Sequence, residues 1–304
     1  MNEKLKSERG AKPTFSVSKE NPAKIKMENI GVLAGFTSEI IQSEYFRQIL
    51  SGIIAALAVS PPYDLRFVLV RDDEINGPFE TLVSRQPLAG LLLLTWRIHA
   101  PYLASMTDNQ VPSVVINDHA SGVKMNIVYT DAAAGARMAI RYLLNRGYRR
   151  IGMIQAPSQD SSDARERERI FRETLRDEGI ELDPSHFKQC DYFFEEDGYL
   201  KTLEMIHNAR TLPRALFCFN DDLAIGAIRA LREEKIMVPQ EVAVIGFDGT
   251  ERGKYVNPPL TTVSQPLEQM GREMVQSLVA LIRGEKKAPV QVRFDSQLVI
   301  RQSA

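Results

Sequence analysis

Two polar side chains follow apolar runs in the C-terminal half of the chain, and they are the first candidates for chemistry. Residues 215–219 (ALFCF) end at Asn220, and residues 242–247 (VAVIGF) end at Asp248. Apolar runs without alternation are typical of strands buried on both faces of a parallel sheet. In such sheets, ligands bind at the carboxyl ends of the strands. The pattern therefore predicts that Asn220 and Asp248 face one bound molecule.

Both residues also have a simpler explanation. Asn and Asp are common helix N-caps, because their side chains accept the free backbone N–H groups of the first turn. Capping could account for Asn220 or Asp221. Asp248 precedes Gly249 and could be a turn residue. The individual positions therefore leave ligand binding and local structure open.

Arg167 is the most informative single residue. Asp163 and Glu166 have the spacing of a capping box, which predicts that a helix begins there. Arg167 precedes Ile170 and Phe171 by three and four residues, so it shares their inward face. The planar guanidinium can hold two hydroxyls or a carboxylate in a bidentate manner. An ordinary ion pair with Glu166 or Asp163 is the alternative.

Catalytic motifs are missing from the sequence. It contains no G-x-S-x-G elbow, H-E-x-x-H motif, P-loop or G-x-G-x-x-G loop. The four histidines lack the spacing of a metal site. We therefore predict a binding protein rather than an enzyme, with no cofactor and no metal ion.

The composition is that of an ordinary globular protein with about two domains. The 304 residues are 44% hydrophobic and 25% charged, and the net charge of −1 creates no field that attracts nucleic acid. Residues 1–26 carry seven Lys/Arg and three Asp/Glu, which predicts a flexible basic segment that could touch phosphate or simply be solvated. The two cysteines and the missing apolar signal region indicate a reducing, cytoplasmic location without membrane contact.

Strand-like and helix-like patterns alternate from residue 29 onward. This alternation predicts βαβ units and parallel sheets with right-handed crossovers. Two such runs predict two doubly wound lobes. The predicted strands cover residues 30–34, 65–70, 88–95, 111–117, 151–155, 187–192, 215–219, 242–247 and 297–301, and the predicted helices cover residues 45–59, 79–83, 132–146, 163–178, 196–209, 223–231 and 267–282.

Several ordered motifs resemble the effector-binding core of the lactose-repressor/galactose-repressor family of bacterial transcription regulators. The resemblance spans roughly residues 30 to 301. It rests on IGVLAGF, YTDAAAGARMAIRYLLNRGYRRIGMI, RERERIFRETLRDEGI, FNDDLAIGAIRAL, VPQEVAVIGFDGTE and PPLTTVSQP.

The family's fold implies a division of the chain into two lobes of the periplasmic-binding-protein-like type I class. The first lobe would comprise residues 27–130 plus 265–290, and the second residues 131–262 plus 293–304. Three crossovers, near 129–131, 262–265 and 290–294, would join the lobes, with the ligand cleft between them.

The resemblance also implies a set of ligand-contacting positions. Arg167 stands where the family has its effector-contacting arginine, although Ile170 replaces the usual glycine. Asn117 stands where an acidic residue is frequent, and Asp118 beside it could serve instead. Phe193 has the place of an aromatic that stacks on a sugar, with core packing as the alternative. The expected set is completed by Phe36, Thr37, Asn220, Asp248 and Gln265.

The resemblance to this family also implies a function for the chain. The chain would sense a small polar effector, either a sugar, a sugar derivative or less readily a nucleobase, by hinge closure of the lobes. A homodimer is expected, with the apolar helix 45–59 as the candidate interface or simply a buried helix. DNA binding would require a helix-turn-helix head, for which residues 1–26 offer no room. The alternative is a stand-alone cytoplasmic small-molecule sensor.

Overall fold

The computed structural model describes residues 28–35, 43–60, 62–70, 88–94, 111–117, 124–158 and 161–304. Twelve strands in this part of the chain form two six-stranded sheets. The first sheet is parallel throughout and has the order β11-β5-β4-β3-β1-β2. Its strands are β1 (Glu28–Gly35), β2 (Tyr63–Val70), β3 (Gly90–Leu93), β4 (Ser113–Ile116), β5 (Ile127–Thr130) and β11 (Gln291–Phe294).

The second sheet repeats this plan with one antiparallel edge. Its order is β12-β10-β9-β8-β6-β7, and β12 alone runs antiparallel to its neighbour. Its strands are β6 (Ile151–Gln155), β7 (Phe187–Gln189), β8 (Ala215–Cys218), β9 (Ala243–Asp248), β10 (Thr261–Ser264) and β12 (Gln297–Val299).

Six described helices cover the sheets. They are α1 (Glu44–Leu57), α2 (Ala132–Asn145), α3 (Ser162–Asp177), α4 (Glu195–Asn208), α5 (Asp221–Glu233) and α6 (Leu267–Ile282). Helices α1 and α6 pack on each other and on strands of the first sheet, and α2 to α5 belong with the second sheet. We call the two assemblies the first lobe and the second lobe. The predicted fold class, two doubly wound lobes, is confirmed.

The chain passes between the lobes three times. The passages lie between β5 and α2, between β10 and α6, and between β11 and β12. Strand β11 pairs with β5, so Arg293 and Phe294 lie in the first sheet and not in the second lobe as expected. The third passage therefore falls just after the expected region 290–294.

One glycine on each helix allows a close helix pair in both lobes. A Cβ at Gly52 of α1 would lie 2.0 Å from the Glu268 carbonyl oxygen of α6. A Cβ at Gly226 of α5 would lie 2.0 Å from the Glu195 carbonyl oxygen of α4. Reciprocal contacts occur at Gly271 and Gly198. Backbones can approach this closely only where no side chain intervenes.

The described helices agree with the predicted ones to within three residues, but several strands do not. Strands β5, β10 and β11 are absent from the predicted strands. Each is only four residues long and lies at or beside an expected crossover. Strand β7 ends at Gln189 and β12 at Val299, both earlier than expected. Helix α3 is capped by Ser161, whose Oγ accepts the Ala164 N–H, rather than by a box of Asp163 and Glu166. The predicted helix 79–83 lies outside the described residues.

Candidate functional site

A cavity lies between the lobes, where the carboxyl ends of strands from both sheets meet. Its volume is about 90 Å³. Aromatic rings from both lobes form much of its apolar wall, namely Tyr45, Phe46, Phe193 and Phe219. The polar side chains that line it are Ser43 and Asn117 from the first lobe and Ser161, Asp163, Arg167, Asn220 and Asp248 from the second. The sequence therefore predicted five of its lining residues, and ligand contact by them stays a prediction.

Arg167 lies in the first turns of α3 and faces the cavity with 2% of its surface exposed. Its Nη1 donates to the Phe219 carbonyl oxygen at 2.6 Å, and its Nη2 donates to Asp163 Oδ2 at 3.3 Å. The guanidinium carbon lies 3.6 Å from the centre of the Phe247 ring and 4.4 Å from that of Phe219. Cation–π contacts of this kind stabilise a desolvated cation.

The inward position of Arg167 and its ion pair with Asp163 occur together, although they were predicted as alternatives. Glu166 instead binds Arg169 on the exposed face of the helix. Within the described part of the chain, the buried Nε of Arg167 has no hydrogen-bond partner. A buried unpaired donor has a substantial desolvation cost. The site therefore retains a guanidinium N–H that a ligand oxygen could satisfy.

A chain of amides and hydroxyls joins the lobes behind the cavity. Asn117 Nδ2 donates to Tyr45 OH at 2.8 Å and to Gln265 Oε1 at 3.1 Å. Gln265 Nε2 donates to Asp248 Oδ1 at 2.8 Å. Thr130 donates its N–H to Asn117 Oδ1 at 2.9 Å and its hydroxyl to Gln265 Oε1. The network thus connects the end of β4, two of the passages between the lobes and the end of β9.

Asp248 holds a carboxyl group in an unfavourable environment. Burial raises its pKa well above the usual range, while the nearby Arg167 charge and the Gln265 N–H act in the opposite direction. Its backbone has a φ of 122°, a value that few residues other than glycine adopt. Strained backbone and a shifted pKa are both more frequent at functional sites than elsewhere.

Asn220 and Phe193 have structural roles as well as places in the cavity wall. Asn220 caps α5, because its Oδ1 accepts the Leu223 N–H at 2.9 Å, and its Nδ2 donates to the Phe193 carbonyl at 3.0 Å. The Phe193 ring packs against Phe194 with 4.6 Å between the ring centres. Asn220 is therefore a helix cap, as the simpler explanation predicted. Its Nδ2 also binds the backbone of Phe193, whose side chain lines the same cavity.

Four of the nine expected ligand residues do not belong to the cavity wall described above. Phe36, Thr37 and Asp118 lie outside the described residues. Gln265 contributes to the site through Asn117 and Asp248 and does not line the cavity.

Tyr45 is a cavity residue that the sequence reasoning missed. It was counted as one more apolar position of the helix 45–59, yet its hydroxyl accepts from Asn117 inside the cleft. Burial raises the pKa of this hydroxyl, and the charges of Asp248 and Asp163 raise it further. The group is therefore a neutral hydroxyl. The only available signal was its place in the first turn of a helix that follows β1.

The comparisons with known proteins agree with this geometry. Residues 140–304 match the model of the periplasmic binding protein-like domain. The HTH-type transcriptional repressor CytR of Escherichia coli (strain K12) is 29% identical over 261 residues, which cover 85% of this chain and 75% of CytR. The HTH-type transcriptional regulator CelR of Thermobifida fusca is 34% identical over 276 residues, which cover 88% and 79%.

Solved structures give the same result. The complex of the transcriptional regulator CelR with cellobiose has a TM-score of 0.82 and 28% identity, and the match covers 92% of this chain and 86% of that one. A regulatory protein of the LacI family from Chloroflexus aggregans has a TM-score of 0.76 and 25% identity, covering 90% and 98%.

Fold and cavity together define a two-lobed protein of the periplasmic-binding-protein-like class. The chain belongs to the lactose-repressor/galactose-repressor family of transcriptional regulators. It contains the effector-sensing domain of such a regulator. Among the described residues, no helix is long and apolar enough to cross a lipid bilayer.

Proposed function

We propose that the effector of this domain is a sugar or a sugar-like molecule, and that it binds in the cavity between the lobes. The observation that carries the proposal is the combination of Arg167, Asp248 and Asn117 with aromatic rings around one cavity. A sugar hydroxyl can donate to a carboxyl oxygen and accept from a guanidinium or amide, while the apolar face of the ring packs on an aromatic side chain.

A solved relative supports the choice of a sugar. The solved structure of CelR is a complex with cellobiose, and it shares the fold of this chain over most of its length. A nucleobase would also satisfy an aromatic, carboxylate and guanidinium set, so nucleobases are included in the test below.

Binding must be coupled to movement of the lobes. Residues of both lobes line the cavity, so a ligand bound there contacts both lobes. Hinge motion that closes two such lobes around a ligand is common in such proteins. A ligand that moves the population from mostly open to mostly closed needs about 5.5 kcal/mol of differential binding.

The domain acts as a homodimer in this proposal. Helix α1 buries one face against α6 but exposes Ile54, and Phe67 of β2 is exposed as well. Edge strand β2 and the exposed face of α1 therefore offer apolar surface for a second copy, with two-fold symmetry. Size-exclusion chromatography with light scattering tests this directly, and a monomer at all concentrations contradicts it.

DNA binding is expected only through a helix-turn-helix head, which reads the major groove in this kind of regulator. Acting on DNA also places the protein in the cytoplasm. A gel shift with the 304-residue chain tests the point. The absence of a sequence-specific complex agrees with the proposal, whereas a specific complex would assign DNA contact to residues of this chain.

A thermal-shift screen tests the effector. Monosaccharides, disaccharides, sugar phosphates and nucleobases are compared, because a ligand that binds only the folded state raises the unfolding midpoint. A rise with a sugar that disappears in Arg167→Ala supports the proposal. A screen in which only nucleobases raise the midpoint contradicts it. Recovery of the bound sugar unchanged after incubation checks that the domain binds without catalysing a reaction.

A further inference from the structure

Glu44 joins the two lobes at the rim of the cleft. It is the first residue of α1 in the first lobe and is 7% exposed. Its Oε1 accepts the Glu251 backbone N–H at 2.7 Å, and its Oε2 accepts the Arg252 backbone N–H at 3.0 Å. Both N–H groups belong to the segment that follows β9 in the second lobe. One carboxylate therefore holds two main-chain donors of the opposite lobe.

The receiving segment is fixed to its own lobe. Arg252 Nη2 donates to Glu195 Oε2 at 2.5 Å, and its Nη1 donates to Asp222 Oδ1 at 3.2 Å. The Thr250 N–H donates to the buried Asp221 carboxylate at 2.7 Å. Because the segment is hydrogen-bonded to α4 and α5, the contact with Glu44 links the first lobe to the body of the second lobe.

Glu44 does not line the cavity, although Ser43 and Tyr45 on either side of it do. An acidic residue in the first turn of a helix also stabilises that helix through the helix dipole. The helix dipole does not explain why both carboxylate oxygens point to backbone donors in the other lobe. Hydrogen bonds from N–H groups to a carboxylate are about twice as strong as neutral ones.

We propose that Glu44 is a closure latch, a positioning residue that raises effector affinity by stabilising the closed arrangement of the lobes without touching the effector. This inference rests on the proposed function, because it assumes that effector binding and lobe closure are coupled. A protein whose binding-competent state is less populated has a proportionally weaker apparent affinity. Loss of the latch therefore weakens binding while leaving the cavity wall intact.

The first test measures the distance between the lobes without any ligand. Spin labels are placed on cysteines introduced at the exposed positions Ser51 and Tyr255, one in each lobe. The native Cys190 and Cys218 are buried and do not compete for the label. Dilution with unlabelled protein restricts the distances measured by pulsed electron–electron double resonance to pairs of labels within one chain.

Matched variants decide the outcome. We expect E44A to lengthen and broaden the distance distribution relative to the unmutated chain, and E44Q to do so less. Gln48→Ala is the control, because Gln48 donates to Glu44 Oε1 at 3.0 Å within the same helix and makes no hydrogen bond to the second lobe among the described residues. Coincident distributions for E44A and the unmutated chain overturn the latch. Equal shifts for E44A and Gln48→Ala also overturn it, because they indicate an effect on the helix end.

The second test measures affinity, with cellobiose as the first probe and then any sugar found in the thermal-shift screen. Removing the latch weakens binding about tenfold for E44A, as expected for the loss of two hydrogen bonds to a charged group offset by water. E44Q keeps the size of the side chain and serves if E44A fails to fold. Unchanged affinity in both variants contradicts the proposal. A screen without any bound sugar counts against the proposed effector class and leaves the ligand-free distances decisive for the latch.

Discussion

The polar side chains on the two sides of the cleft differ in where their partners lie. In the second lobe, Asn220 caps its own helix, Arg167 binds Asp163 and the Phe219 carbonyl, and Asp221 accepts three hydrogen bonds from within the lobe. In the first lobe, Glu44 binds backbone N–H groups of the second, and Asn117 binds Gln265 at the second passage between the lobes.

This difference indicates a division of roles. The second lobe presents a preformed surface on which the hydrogen bonds of Arg167, Asn220 and Asp221 lie within the lobe and persist when the lobes separate. The hydrogen bonds that Glu44 accepts from the second lobe depend on closure, so they are the ones that can report whether an effector is bound. Four predictions, ordered from the largest expected effect to the smallest, test this comparison.

The largest expected effect is the fall in the free energy of unfolding with rising pH that two buried carboxyl groups of the second lobe cause. Burial raises the pKa of Asp221 from 3.8 to about 7, and it raises that of Asp222 to about 6. A carboxyl whose folded pKa is raised contributes stability that is complete below its unfolded pKa and is lost as the pH rises through the folded value. The shift at Asp221 alone should therefore lower the free energy of unfolding by on the order of 4 kcal/mol between pH 4 and pH 8, and the shift at Asp222 lowers it further.

Urea unfolding of the unmutated chain and of Asp221→Asn measures this dependence. Asparagine does not titrate, so the variant should show a flatter profile over the same range. A profile that rises with pH in the unmutated chain, or one that Asp221→Asn leaves unaltered, would show that the buried Asp221 carboxylate is ionised and compensated.

Arg167→Ala is the strongest test of the preformed surface. It removes a guanidinium that a ligand would contact, and we expect about hundredfold weaker sugar binding by calorimetry, because hydrogen bonds to charged groups contribute about 1.5–3 kcal/mol. It also leaves Asp163 buried without its cation, which lowers stability. The double variant Asp163→Asn, Arg167→Ala restores neutrality. It should recover the melting temperature without recovering the affinity.

Gly226→Ala and Gly52→Ala compare the helix pairs of the two lobes. In each case the new methyl group would lie 2.0 Å from a carbonyl oxygen of the partner helix. Overpacking of this kind destabilises by about 1–3 kcal/mol. Gly253→Ala is the control, since its nearest neighbours would be 3.5 Å away. Urea midpoints that fall for Gly226→Ala alone would show that α1 and α6 separate more easily than α4 and α5.

Tyr45→Phe tests a contact made by the first lobe. The variant keeps the aromatic ring in the cavity and removes the hydroxyl that accepts from Asn117 Nδ2. One neutral hydrogen bond is worth about 1 kcal/mol, so we expect about fivefold weaker sugar binding. A loss as large as that of Arg167→Ala would show that the first lobe contributes as much binding energy as the second.

The second lobe could be predicted from the sequence more completely than the first. Strands β8 and β9 lie in the apolar runs 215–219 and 242–247, which are followed directly by Asn220 and Asp248. Arg167 shares the helical spacing of Ile170 and Phe171. These signals are local, and the resemblance to a known family ordered them around one cleft. The structure brings Arg167, Asn220 and Asp248 to the same cavity.

The contacts of the first lobe had no comparable signal. Glu44 and its partners Glu251 and Arg252 lie more than 200 residues apart in the chain, so no spacing rule connects them. Tyr45 looked like one more apolar residue of its helix. Strand β5 is four residues long and ends where the chain changes lobe, which made it indistinguishable from a linker. Such features depend on tertiary contacts that periodicity does not report.

The position of the bound effector tests the proposed sugar site most directly. A crystal structure of the domain with a sugar identified by the thermal-shift screen provides the measurement. We predict the sugar between the lobes, with Arg167 and Asp248 within hydrogen-bond distance of its hydroxyls and an aromatic side chain against its face. A sugar bound elsewhere, with the cavity between the lobes still empty, would contradict the account.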